Sequence, residues 1–185
     1  MARGRIAHAI TFGEDVTSLG NAAQQYPLGT MRMEETTLSL GVEVYRYILH
    51  SANSVATVAG GLAYRGVTIA LPWKVTGAIG SGASGLAMGV YQSVVTDATY
   101  AWVKTKGYQS NLKKQAGTGM SWAKGLYLFS DPSTTANMKA RVIKIAATTK
   151  VSGAEIRAML QRNIGFAAST HSTTNTTGKA YIELE

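Results

Sequence analysis

The sequence predicts a mainly β chain, a β-barrel or a β-sandwich, with an extended N-terminal arm and one short helix near 152–163. Three observations predict this class. Apolar residues recur with a period of two over short runs. Breaks rich in Gly separate those runs; Gly numbers 20 and Pro only 3 among 185 residues. A single stretch carries a convincing helix start signal.

Residues 1–26 lack a firm period. Gly13, Gly20 and the polar run Asn21 to Gln25 read as an arm, costly to order by itself. The domain proper is expected over 27–185. Leu28 to Met33 is a short strand candidate, and Glu34 to Gly41 a hairpin connection. Val42 to Leu49 is the clearest strand: Val42, Val44, Arg46 and Ile48 share one face, and Glu43, Tyr45, Tyr47 and Leu49 the other. Leu62 to Ile69 and Trp73 to Ala78 are weaker strands, broken by Gly66 and Pro72.

Residues 80–89 are rich in Gly and Ser, and Gly80 to Gly85 reads as a flexible loop. Val90 to Val95 and Tyr100 to Thr105 read as paired strands, with Tyr100, Trp102 and Lys104 on one face of the second. Trp122 to Phe129 and Arg141 to Ala147 are further strands. Ser152-Gly153-Ala154-Glu155 fits a capping box. Ile156, Met159, Leu160 and Asn163 follow at helical spacing, and Gly165 stops the run. A Thr/Ser-rich loop occupies 168–178, and Lys179 to Glu185 alternates as a final strand. No internal repeat stands out.

Composition narrows the function. Charged residues make up only 15% of the chain, against about a quarter in ordinary soluble domains. Such a chain either buries surface against partners, where charge is depleted and aromatics enriched, or covers itself with Ser, Thr, Asn and Gln. The net charge is +8, and residues 44–154 hold twelve Lys/Arg against only Asp97 and Asp131. The basic groups are dispersed; Lys104, Lys106, Lys113 and Lys114 are the densest and make a candidate basic face. A tight basic block, usual for a nucleic-acid arm, is missing. An acidic protein surface is an equal partner for such a face.

There is no Cys, which excludes disulfides, thiolate metal sites and Cys nucleophiles. No apolar run reaches the ~20 residues of a membrane span. The first twelve residues are too short in apolar character for a signal-peptide core, so synthesis and use in a host cytoplasm are expected. His8, His50 and His171 are isolated from metal-ligand spacing. Gly80 to Gly85 matches G-x-G-x-x-G, but lacks the flanking strand, helix and acid of a dinucleotide site. No catalytic, cofactor or metal residues are assigned, and the chain is expected not to be an enzyme. Trp73, Trp102 and Trp122, with nine Tyr, serve as core or interface anchors, or as a stacking platform for single-stranded nucleic acid.

One family resemblance enters on specific residues. Tyr26-Pro27-Leu28-Gly29-Thr30, then Val44-Tyr45-Arg46-Tyr47-Ile48, then Ala59-Gly60-Gly61-Leu62-Ala63-Tyr64 resemble the opening of small head proteins of tailed bacteriophages. Tyr100-Ala101-Trp102-Val103-Lys104-Thr105-Lys106-Gly107 resembles a later element of those proteins, with Ala101 where they usually have Gly and Lys104 where they have Gln. The similarity covers residues 26–107. It implies a capsid decoration (cement) protein: a subunit on the virion exterior, often a trimer, that binds the major capsid protein and stabilises the head. Arg3, Arg5, Ile6, Phe12, Tyr26, Leu28, Trp73, Tyr100 and Trp102 are then the candidate partner interface. The other readings are a basic nucleic-acid-binding module, or another virion part such as a head-completion or tail-tube subunit.

Overall fold

The computed structural model describes residues 16–17, 20–35, 41–51, 57–66, 73–77, 83–114, 121–130, 140–141, 163–172 and 174–184. Among these residues every regular element is a strand. In chain order they are β1 (Met31–Glu35), β2 (Val42–His50), β3 (Leu62–Gly66), β4 (Lys74–Thr76), β5 (Ala83–Tyr91), β6 (Thr99–Lys113), β7 (Tyr127–Ser130), β8 (Ala140–Arg141), β9 (Asn163–Ala167) and β10 (Thr177–Glu183). The mainly β class expected from the sequence is what forms.

Of the two β architectures left open, a barrel is present. The ten strands run β1-β2-β4-β3-β5-β6-β10-β9-β7-β8, and β2 also pairs with β6. That extra pairing closes a five-stranded ring, β2-β4-β3-β5-β6. Its β2–β4 contact is parallel and the other four are antiparallel. One apolar cluster fills the ring with side chains from all five strands: Ile48, Ala63, Val75, Tyr91, Ala101 and Val103, joined by Val95. Small residues at Ala63 and Ala101 suit so narrow an interior. His50 reaches the Tyr91 hydroxyl at 2.9 Å inside it.

The long strand β6 links this barrel to an extension of the sheet. Its first half pairs with β2 and its second half with β10. From β10 the sheet continues through β9 and β7 to β8. A second core joins extension to barrel. Leu62 and Tyr64 point away from the barrel interior, as alternation with Ala63 requires. They pack with Val90, Leu112, Trp122, Leu128, Ile164, Ala167, Ala180 and Ile182.

A third cluster covers the outer face of β2 and β6. Tyr47 stands opposite Trp102 and Tyr45 opposite Lys104, so the two faces divide as their alternation predicts. Tyr45, Tyr47 and Trp102 are buried there under Val16, Tyr26, Leu28 and Tyr100. The later part of the expected arm therefore lies on its own barrel, tied by main-chain bonds of 2.8 Å in both directions between Asn21 and Tyr100.

Several segments depart from the sequence reading. The strand expected over Val90–Val95 ends at Tyr91, and the one expected from Trp122 begins at Tyr127. The loop expected over Gly80–Gly85 runs into β5, which begins at Ala83. Gly89 fits this strand because β5 lies close to β6: a Cβ there would sit 2.5 Å from the Val103 side chain. Asn163, placed on the helix stripe, instead opens β9, and Gly165 does not stop a helix. Gly165 has φ +130° and lets β9 kink, because a Cβ there would lie 1.9 Å from the Tyr181 carbonyl oxygen. The rest of the expected helix, 152–162, lies outside the described residues.

Candidate interaction surface

Gly165 also determines what the extension shows to solvent. Ile164 and Ala167 are both buried in the second core, an odd spacing that a regular strand forbids. The irregular backbone at Gly165 allows both, and turns Phe166 outward between them. Phe166 stands opposite Tyr127 of β7 on one side and Tyr181 of β10 on the other. Tyr181 in turn stands opposite Tyr108 of β6.

Directly opposed residues share a face of the sheet. Tyr127, Phe166, Tyr181 and Tyr108 thus form one aromatic row across four adjacent strands, spanning about 14 Å at the usual strand spacing. The rings touch: Phe166 to Tyr181 at 5.2 Å and Tyr108 to Tyr181 at 5.5 Å between centroids. Tyr127 is 64% exposed and Phe166 36%. Beside the row lies an open cleft of about 270 Å³ lined by Gly41, Val42, Lys106, Gly107, Phe166, Tyr181, Ile182 and Glu183. Its walls are aromatic and aliphatic, and Lys106 and Glu183, opposed in register, place one charge of each sign at its side.

The chain matches no protein-family model, and no curated protein or solved structure matches it.

The residues expected at a partner interface fall into three groups. Arg3, Arg5, Ile6 and Phe12 lie outside the described residues. Tyr26, Leu28 and Tyr100 are half-buried around Trp102, which is itself buried. The Trp102 indole touches Tyr47 at 5.1 Å and Tyr26 at 5.5 Å, so its area is used inside the chain. Trp73 sits at the barrel with the Arg46 guanidinium 5.2 Å above its ring.

The candidate basic face does not form as a face. Lys106 is exposed and Lys113 half-exposed, whereas Lys104 and Lys114 are buried. Lys104 Nζ pairs with Glu43 at 2.8 Å and donates to the Tyr108 carbonyl at 2.8 Å. Lys114 Nζ donates to the carbonyls of Ser172 and Asn175 at 2.9 and 3.3 Å. Burial holds the Lys114 ammonium below its ordinary pKa. Lys104 is drawn inward by Glu43 of β2 and by the Tyr108 carbonyl of its own strand, and Lys114 by carbonyls of a distant segment; the strand alternation around them contains no sign of that.

Among the described residues no three His, Asp or Glu side chains gather to hold a metal. Ser169 Oγ lies 2.7 Å from His171 Nε2, a spacing that a nucleophile and its base also show. Here, however, Nε2 accepts the Lys179 main-chain N–H at 2.9 Å. That lone pair is committed to holding the 168–178 loop against β10. Burial, then the charges of Lys114 and Lys179, keep His171 below its ordinary pKa.

Sequence reasoning misses the aromatic row. The alternation of the last strand sets Tyr181 opposite Ala180 and Ile182, which is a partial signal. Which residues stand beside it depends on register and on the kink at Gly165, and neither is local to any one strand.

Proposed function

We propose that this chain is a virion structural subunit, a capsid decoration (cement) protein that binds the major capsid protein on the outside of the shell. The observation that carries this reading is the aromatic row Tyr127–Phe166–Tyr181–Tyr108, exposed at Tyr127 and Phe166, with its adjoining cleft. Large rings that keep a polar handle are the side chains that anchor protein interfaces. The low charged fraction agrees with a chain that buries part of its surface in an assembly. The resemblance over residues 26–107 supplies the identity of the partner, and those residues build β1 to β5 and the first half of β6.

Binding then works by burial. The aromatic row lies flat on the shell protein, and an apolar side chain of that protein enters the cleft beside Phe166 and Val42. Apolar area contributes about 25 cal/mol per Å² before the costs of association. The net charge of +8 speeds docking on an acidic shell. Burial of Lys104 and Lys114 removes half of the lysines on which a nucleic-acid reading relied.

Mass spectrometry of purified virions tests the assignment directly. A copy number in fixed proportion to the shell protein is expected. A handful of copies per particle points to a connector or tail part, and absence from the particle overturns the reading.

A further inference from the structure

We propose that two copies of this chain pair edge to edge through β1, antiparallel, about a two-fold axis beside Met33. The inference concerns the isolated chain and stands apart from shell binding. Among the described residues β1 is the terminal strand of the sheet and pairs with β2 alone. Natural edges are blunted by Pro, by bulges or by charged side chains, Lys above all. The sequence of β1, Met-Arg-Met-Glu-Glu, has no Pro or Lys and its register with β2 runs without interruption, while its charges are of both signs and so can complement a second copy of the strand.

Main-chain geometry selects how a second strand can add. Tyr47 N–H donates to the Thr30 carbonyl at 3.0 Å, so Thr30, Arg32 and Glu34 direct their main-chain groups toward β2. Alternation leaves those of Met31, Met33 and Glu35 facing the open edge. A second β1 must match these residues with its own. Centred on Met33, the pairing sets Met33 against Met33, Met31 against Glu35 and Arg32 against Glu34, the last twice by symmetry. Sliding by two residues either way sets Arg32 against Arg32 or Glu34 against Glu34. Charge therefore picks the same register that uses all three outward-facing residues of each strand. Opposite charges at such non-hydrogen-bonded positions attract, and like charges repel.

The side chains agree with this arrangement. Met31 is 45% exposed and Met33 62%, and the pairing gathers both from each copy into one strip beside Val44, which stands opposite Met33. Arg32 and Glu34 already form an ion pair along the strand, at the rim of the cluster where Arg32 lies 5.9 Å over the Trp102 ring. Both charges are thus held where a two-fold partner meets them.

Sedimentation velocity on the full chain tests the proposal. A species of twice the 19.6 kDa chain mass is expected at micromolar concentration. Met33→Pro removes only an outward N–H, which an edge strand tolerates, and should yield monomer with an unchanged circular dichroism spectrum. Arg32→Glu and Glu34→Arg should each weaken self-association about tenfold or more, because each sets like charges opposite across the axis. An equimolar mixture of those two variants should recover the dimer. Both strand positions are then acidic in one copy and basic in the other, so every facing pair across the axis is of opposite sign. A chain that stays monomeric, one that assembles as a trimer, a dimer indifferent to Met33→Pro, or a mixture that fails to recover would each overturn the proposal. If Met33→Pro does not fold, the charge-swapped mixture alone decides.

Discussion

Lys104 and Glu43 form an ion pair of 2.8 Å with side chains only 6% and 16% exposed, at the point where the barrel closes. Lys104 stands opposite Tyr45 of β2 on one side and Val90 of β5 on the other. The Tyr45 hydroxyl donates to the same carboxylate. Burial, then that hydrogen bond and the carboxylate charge, push the Tyr45 hydroxyl well above the usual phenol range. Removing one partner of such a pair leaves a charge with too little solvent. Lys104→Met is expected to destabilise the fold by about 3 kcal/mol, read as a lower urea midpoint at unchanged slope. The double variant Lys104→Met/Glu43→Gln should regain a large part of that loss, because no unpaired charge remains. Additive losses would show that the pair is not coupled.

Gly165 ties the second core to the solvent-facing aromatic row. With φ at +130° and a Cβ position 1.9 Å from the Tyr181 carbonyl oxygen, alanine fits neither the backbone nor the space. Gly165→Ala is expected to cost on the order of 3 kcal/mol and to loosen β9 against β10. Hydrogen exchange should speed up at Phe166 and Ala167 before it does at Ile48 or Val103 in the barrel. Equal acceleration in both places would mean that the extension and the barrel do not open separately.

The contrast between β2 and β9 explains what was legible. β2 alternates Tyr45, Tyr47 and Leu49 against Arg46, Ile48 and His50, and the period of two divides these faces from sequence alone, though not which of them lines the barrel. In β9 the alternation is broken at Gly165, and the apolar spacing before it fits a helix, so Asn163 reads as helical. β5 is hidden for a related reason. Its glycines look like loop residues, although at Gly89 the missing side chain lets β6 come close. The buried lysines are illegible because their partners are distant: the Ser172 and Asn175 carbonyls reach Lys114 across 58 and 61 residues. The closure of the barrel cannot be read either, since it depends on the parallel contact of Leu49 and His50 with Lys74 and Val75.

His171 gives the loop after β9 a pH response. Its Nε2 accepts the Lys179 N–H, and its ring stands edge-on to Trp122 at 5.9 Å. Burial and the charges of Lys114 and Lys179 lower its pKa from the ordinary 6.5. The folded state therefore binds this proton less readily than the unfolded state does. The contribution is complete above about pH 6.5 and is lost as pH falls below it toward the folded value. Urea melts at pH 8 and pH 5 should show the chain weaker at pH 5, and His171→Gln should reduce that difference. Lys114→Met should move the His171 titration, followed by NMR, back upward. A His171 pKa at or above 6.5 in the native chain would contradict the arrangement.

The aromatic row separates binding from stability, which makes the shell reading testable at single residues. Tyr127 is the most exposed ring of the four and packs little within the chain, so Tyr127→Ala should change folding stability by no more than about 0.5 kcal/mol. On the proposed reading the same ring lies at the shell contact, where truncating an aromatic anchor costs about 2 kcal/mol or more. Binding to empty shells of the virus should therefore weaken at least about tenfold while the thermal midpoint stays put. Phe166→Ala should weaken binding further, because it also opens the wall of the cleft against Val42 and Ile182. Val94→Ala, another exposed apolar position but outside the row, serves as the control and should bind as the native chain does. If all three variants bind shells equally well, contact runs through another surface, and Arg3, Arg5, Ile6 and Phe12 are the next candidates, ahead of the half-buried Tyr26, Leu28, Trp73 and Tyr100. Deleting residues 1–15 and repeating the titration then distinguishes an arm-anchored subunit from one that docks through a further face of the domain.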